Sequence, residues 1–111
     1  KQPSNRSKQP NSIRTQLRII GGHHRSRVIE FYTDPKTRPM KDRTREAVFN
    51  LLGGKVDGFI AVDLFAGSGI LALESISRGA CHAIAIERLK ATADDIRRNI
   101  NRLALEAQVH V

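Results

Sequence analysis

The chain holds 111 residues, carries a formal net charge of +8, is 40% hydrophobic and has a single cysteine. That length supports one small domain. No apolar run reaches the roughly 20 residues of a membrane helix, the basic start has no signal-peptide core, and a lone thiol excludes an intrachain disulfide. The expectation is a cytoplasmic protein with no membrane partner and no metal, since no Cys/His cluster has zinc spacing.

Charge is unevenly spread. Up to Gly58 there are 13 Lys and Arg against 5 Asp and Glu; after it, 6 against 6. One-sided positive charge points to a polyanion, because cations that neutralise phosphates release condensed counterions. A merely solubilising tail remains the alternative.

Residues 1–12 contain no aliphatic or aromatic side chain, so a disordered basic tail is expected over 1–16. Short β-prone runs at 17–20 and 28–32, separated by Gly21, Gly22 and a basic stretch, suggest a hairpin arm over 17–37. Arg14, Arg18, Arg25 and Arg27 would decorate it. His23 and His24 are read as surface or RNA contacts rather than metal ligands, because adjacent strand residues point to opposite sides.

Asp34-Pro35 and Arg38-Pro39 interrupt regular structure, after which Asp42 or Thr44 can cap a helix with Ala47, Val48, Leu51 and Leu52 on one face. Gly53-Gly54 ends it. From Phe59 onward apolar strands alternate with amphipathic helices, the pattern of a parallel α/β sheet. Leu89, Ala93, Ile96, Ile100 and Leu103 form the apolar face of the last helix. Val109-His110-Val111 begins a third strand, and Cys81 is read as a small core residue.

The segment Val62-Asp63-Leu64-Phe65-Ala66-Gly67-Ser68-Gly69 joins strand to helix, with glycines for a tight turn and a close ligand approach. Gly67-x-Gly69-x-x-Ala72 fits a dinucleotide fingerprint, and Glu87, about 20 residues on, could grip a ribose. A nicotinamide-dependent Rossmann oxidoreductase is therefore one reading. Asp63 favours another, since a carboxylate beside the loop repels a pyrophosphate and suits the ammonium and sulfonium of S-adenosylmethionine. A third reading is a non-catalytic RNA-binding module.

VDLFAGSGILALESISRGA, AIAIE and IRRNINRL resemble the motif I and post-I region of class I S-adenosylmethionine methyltransferases. LRIIGGHHRSRVI and RPMKDRTREAVFNLL narrow the likeness, over residues 17–111, to the RsmD-type guanine-N2 methyltransferases of bacterial 16S ribosomal RNA. The resemblance implies a Rossmann-like fold, incomplete here, with residues 38–111 as its first part. It implies that Asp63, Phe65, Ala66, Gly67 and Gly69 surround the methionine part of S-adenosyl-L-methionine, that Glu87 holds its ribose, and that Arg88 and Leu89 flank the adenosine. Arg38, Arg43, Thr44, Arg45 and Glu46 would contact cofactor or RNA. The implied partner is 16S ribosomal RNA or a small-subunit assembly particle, engaged by a monomer. An Asp- or Asn-Pro-Pro-Phe/Tyr motif, which captures the base in the family, does not occur in the 111 residues. The chain alone is expected to be inactive.

Overall fold

The structure, a computed structural model, describes residues 12–33, 40–54, 56–64 and 66–111. The first eleven residues of the tail expected over 1–16, both proline breaks, Arg38 and Phe65 lie outside the described residues.

Strands β1 (Ile13–Arg18) and β2 (Val28–Thr33) pair antiparallel, from Ile13 opposite Thr33 to Arg18 opposite Val28. Their alternation sends Ile29 and Phe31 into the core with Leu17 against it, and leaves Arg14, Gln16 and Arg18 exposed. The tail boundary is corrected: residues 13–16 belong to β1, because β2 supplies backbone partners that composition cannot reveal. The turn between the strands lies on the end of α2 (Ile70–Ser77), where the His23 N–H donates to the Ser77 carbonyl at 2.7 Å and the His24 N–H to Ser77 Oγ at 2.9 Å. A Cβ on Gly22, at φ +80°, would sit 1.9 Å from that carbonyl oxygen, so only glycine permits the approach.

A second, parallel sheet has the order β3 (Ile60–Asp63), β4 (His82–Ala85), β5 (Val109–His110). Ile60 stands opposite His82, Asp63 opposite Ala85 and Ala83 opposite Val109. Parallel neighbours require crossovers, and α2 and α3 (Lys90–Arg102) provide them. Ala83, Ala85 and Val109 join Leu73, Ile76, Ile96 and Ile100 in one buried cluster. The opposite face is bare: Ile60, Val62, Ile84 and Ile86 remain 62, 54, 38 and 48% exposed. Continuous apolar strands suit a sheet covered on both sides, and the described helices cover one.

Helix α1 (Asp42–Leu51) departs from expectation. Its buried residues are Arg45 and Phe49, whereas Ala47, Val48, Leu51 and Leu52 are exposed. Its N-cap is Lys41, without a side-chain cap bond, in place of Asp42 or Thr44. The cause lies on α2, where Glu74 is fully buried and is the helix's one charged residue. A buried carboxylate must be compensated. Arg45 Nε donates to it at 3.0 Å and Arg78 Nε at 2.9 Å, while the Ile20 and Gly21 amides donate at 3.0 and 2.9 Å. Arg45 Nη2 also reaches the Arg18 carbonyl and, at 3.0 Å, Asp42 Oδ1. One carboxylate thus ties the hairpin, α1 and α2 together.

Helix α3 closes the open edge of β2 with side chains. Asn99 Oδ1 accepts from the Glu30 N–H at 3.1 Å, its Nδ2 donates to the Glu30 carbonyl at 2.7 Å, and Asp95 Oδ2 accepts from the Tyr32 N–H at 3.2 Å. Arg102 Nη2 donates to the Val28 carbonyl. Four helical residues rise about 6 Å and two strand residues about 6.6 Å, so Asp95 and Asn99 meet Tyr32 and Glu30 in step. Leu89 and Cys81, both expected inside, are exposed. Leu89 is the N-cap of α3 rather than part of its buried face. Cys81 precedes β4, with Sγ 3.4 Å from the Gly58 and Phe59 carbonyl oxygens.

Candidate cofactor and nucleic-acid sites

The glycine loop leaves the carboxyl end of β3 and is stitched to the chain just beyond β4. Ile86 N–H donates to the Asp63 carbonyl at 2.8 Å and Ala66 N–H to the Ile86 carbonyl at 3.0 Å. Glu87 then accepts from the Gly67 amide at 2.9 Å through Oε1 and from the Leu89 amide at 3.1 Å through Oε2. One carboxylate therefore fixes both the loop and the start of α3. Gly69 is the N-cap of α2 at φ +81°, and a Cβ there would lie 2.9 Å from Ile96 Cγ2. Gly67, at φ +54°, is different: the space a Cβ would occupy is open, which is the surface a ligand needs for a close approach.

Asp63, Ala66, Gly67, Gly69 and Glu87 are thus brought to one place at the carboxyl edge of the sheet, where open α/β folds bind ligands. Asp63 and Glu87 are half-buried and Arg88 is exposed. Two carboxylates near the loop suit a cationic ligand better than a pyrophosphate. Among the described residues no group of His, Cys, Asp and Glu could hold a metal ion, and no helix is long and apolar enough to cross a membrane.

The basic residues separate into two sets. Arg14 pairs with Glu30 at 2.6 Å, Arg97 with Asp94 at 3.2 Å and Arg98 with Asp95 at 3.0 Å. Arg45 is corrected as a candidate ligand contact: it is fully buried and committed to Glu74, Asp42 and the Arg18 carbonyl, because α2 carries an acid that has to be neutralised. Its Nη1 is buried without a partner. Arg18, Arg25, Arg27 and Arg43 are exposed and have no acidic partner among the described residues, and Thr44 and Glu46 are exposed beside them. His23 and His24 meet edge to face, with ring centroids 5.8 Å apart. Burial, then the nearby His23 and Arg27, hold the His24 imidazole below its ordinary pKa. Sequence reasoning missed Glu74, Ser77, Asp95 and Asn99. Glu74 had a signal, an acid inside the apolar run ILALES, whereas the partners of the other three depend on which elements meet.

A parallel α/β sheet, a glycine loop after its first strand and an acid just beyond its second define the Rossmann-like class I methyltransferase fold, preceded by a basic hairpin. The chain belongs to the family described as Conserved hypothetical protein 95, whose model matches residues 17–111. It is 41% identical over 97 residues to ribosomal RNA small subunit methyltransferase D of Escherichia coli K12, covering 86% of this chain and 49% of that protein. It is 35% identical over 89 residues to the protein of the same name in Buchnera aphidicola, covering 80% and 47%. Among solved structures, the Escherichia coli "Putative methyltransferase yhhF" superposes with a TM-score of 0.72 at 36% identity, covering 86% of this chain and 52% of that one. A hypothetical protein of Thermus gives 0.70 at 31% identity, with 86% and 54% covered. The chain spans about half the length of the curated relatives it matches.

Proposed function

We propose that this chain provides the S-adenosylmethionine pocket and the RNA-facing arm of a cytoplasmic ribosomal RNA methyltransferase that acts on the exocyclic N2 of a guanine in 16S RNA. The observation that carries the reading is the junction of Asp63, the glycine loop and Glu87 at one sheet edge, with Glu87 anchoring Gly67. The names of the relatives support it.

The residues present suit the cofactor. Gly67 leaves open space, and Asp63 and Glu87 supply negative potential without a paired Lys or Arg at Glu87 among the described residues. S-adenosylmethionine, when bound, supplies an electrophilic methyl group on a sulfonium. Glu87 would accept from the ribose hydroxyls, Asp63 would attract the cationic methionine end, and Gly67 with Gly69 would let the backbone come near. Arg88, exposed next to Glu87, would border the adenosine. The arm would hold the RNA electrostatically, and positioning of the amine against the methyl carries the rate. None of the 111 residues is assigned to grip the guanine amine, and the chain alone should transfer no methyl groups.

The test is a thermal melt with S-adenosylhomocysteine set against NAD, since a ligand that binds only the folded state raises Tm. A rise with S-adenosylhomocysteine alone supports the proposal. A rise with NAD alone would favour a nicotinamide enzyme, and no rise with either a non-catalytic RNA module.

A further inference from the structure

Between the hairpin turn and the first turn of α1 lies a cleft of about 460 Å³ lined by Arg18, Ile19, Ile20, Arg25, Ser26, Asp42, Arg43 and Glu46. Resting on the RNA reading above, we propose that this cleft is a binding site for the RNA sugar-phosphate backbone, with Arg18, Arg25 and Arg43 as its phosphate ligands.

The pairing of arginines carries the argument. Arg14, Arg45, Arg78, Arg97, Arg98 and Arg102 each have an acidic partner within 4 Å. Arg18, Arg25, Arg27, Arg43 and Arg88 have none among the described residues, and three of these five line this one cleft. Three arginines around one cleft outnumber its acids, Asp42 and Glu46, and Asp42 is already tied to Arg45; the excess positive charge favours an anion. Guanidinium groups match phosphate with two parallel donors, a geometry a lone ammonium lacks.

The cleft is also built rather than incidental. Arg18 and Arg43 sit on different elements, and the buried cluster beneath them sets their spacing. Arg45, two residues after Arg43, donates to the Arg18 carbonyl, and Glu74 holds both Arg45 and the Ile20 amide. Arg25 is fixed from the other side: Ser26 N–H donates to the Ile19 carbonyl at 2.8 Å and Ile19 N–H to the Arg27 carbonyl at 2.9 Å. Ser26, also in the lining, adopts φ +71°, a conformation that residues with a Cβ rarely adopt. Two acids border the site. Asp42 is already engaged by Arg45, and Glu46 offsets one of the three cations. The volume lies within the roughly 300–1,000 Å³ of sites for small organic ligands, so it accommodates a phosphodiester with its sugar rather than a bare ion.

Arg43, which the sequence left between cofactor and RNA, is thereby assigned to RNA. Arg14, held by Glu30, is a lesser contributor.

The test is fluorescence anisotropy of a short guanine-containing RNA between 50 and 200 mM salt, a range over which phosphate contacts are read from the slope. Three proteins are compared: wild type, Arg18→Ala/Arg25→Ala/Arg43→Ala, and a charge-matched Lys90→Ala/Arg97→Ala/Arg98→Ala control, each checked for folding by circular dichroism. The expected result is at least about tenfold weaker binding and a log–log salt slope shallower by about 2 for the cleft variant, the sum for three phosphate contacts on a single strand, with the control equal to wild type. Restoring all three positions as Lys should recover the slope. Equal loss in both variants, or no loss in the cleft variant, would overturn the site while leaving the RNA reading intact. No RNA binding by folded wild type would overturn both. Saturable binding of inorganic phosphate that RNA fails to displace would show an anion site of another kind and overturn the assignment to RNA.

Discussion

Glu74 and Glu87 do similar work in opposite surroundings. Each carboxylate accepts backbone amides from a loop: Glu74 from Ile20 and Gly21, Glu87 from Gly67 and Leu89. Glu74 is fully buried and neutralised by Arg45 and Arg78, so nothing remains for a ligand to satisfy. Glu87 is half-buried with no ion pair among the described residues, so its charge stays available. The difference teaches that geometry alone does not separate a structural acid from a binding one; charge compensation does.

The largest expected effect breaks the compensated side. Glu74→Ala leaves Arg78 without its acid and buried Arg45 with only the partly exposed Asp42, and removing one partner of a buried pair costs about 3–5 kcal/mol. Urea denaturation should show that loss or complete unfolding, and a change below about 1 kcal/mol would contradict the cluster's role. Asn99→Ala strips the Glu30 backbone of both its α3 partners, at about 1–3 kcal/mol for unsatisfied buried groups. Hydrogen exchange at the Glu30 amide should accelerate with it.

Glu87→Gln sharpens the contrast from the other side. It keeps the size and one acceptor, so stability should change by less than about 1 kcal/mol, while cofactor affinity falls about tenfold or more, the scale of a hydrogen bond to a charged group. The smallest effect is in pH. Hydrogen bonds from Arg14 and then Gln16 hold the Glu30 carboxyl below its ordinary 4.5. A depressed carboxylate stabilises the fold fully above its unfolded value and loses that contribution as pH falls through the folded one. Acid unfolding of Glu30→Gln should therefore be less steep below pH about 4.5 than that of wild type.

The glycine loop and the strand-helix alternation were legible in the sequence because they depend on local spacing. Gly67, Gly69 and Glu87 are fixed by a turn and a strand end, and they meet as the spacing predicts. Helix α1 was not legible. Its two leucines suggested a packed face, but Arg45 was drawn inward by an acid 29 residues away, an effect no local period contains. The same holds for Asp95 and Asn99, whose partners are the backbone of β2. Arg14 and Arg43 look alike in sequence, and only Glu30 distinguishes them.

The most direct test of the central claim is calorimetric titration of the protein with S-adenosylmethionine, wild type beside Asp63→Ala/Glu87→Ala, with folding of both confirmed by circular dichroism. The two acids at the sheet edge predict saturable binding to wild type that weakens about a hundredfold or more in the variant. Equal affinity in the two proteins, or no binding by folded wild type, would contradict it.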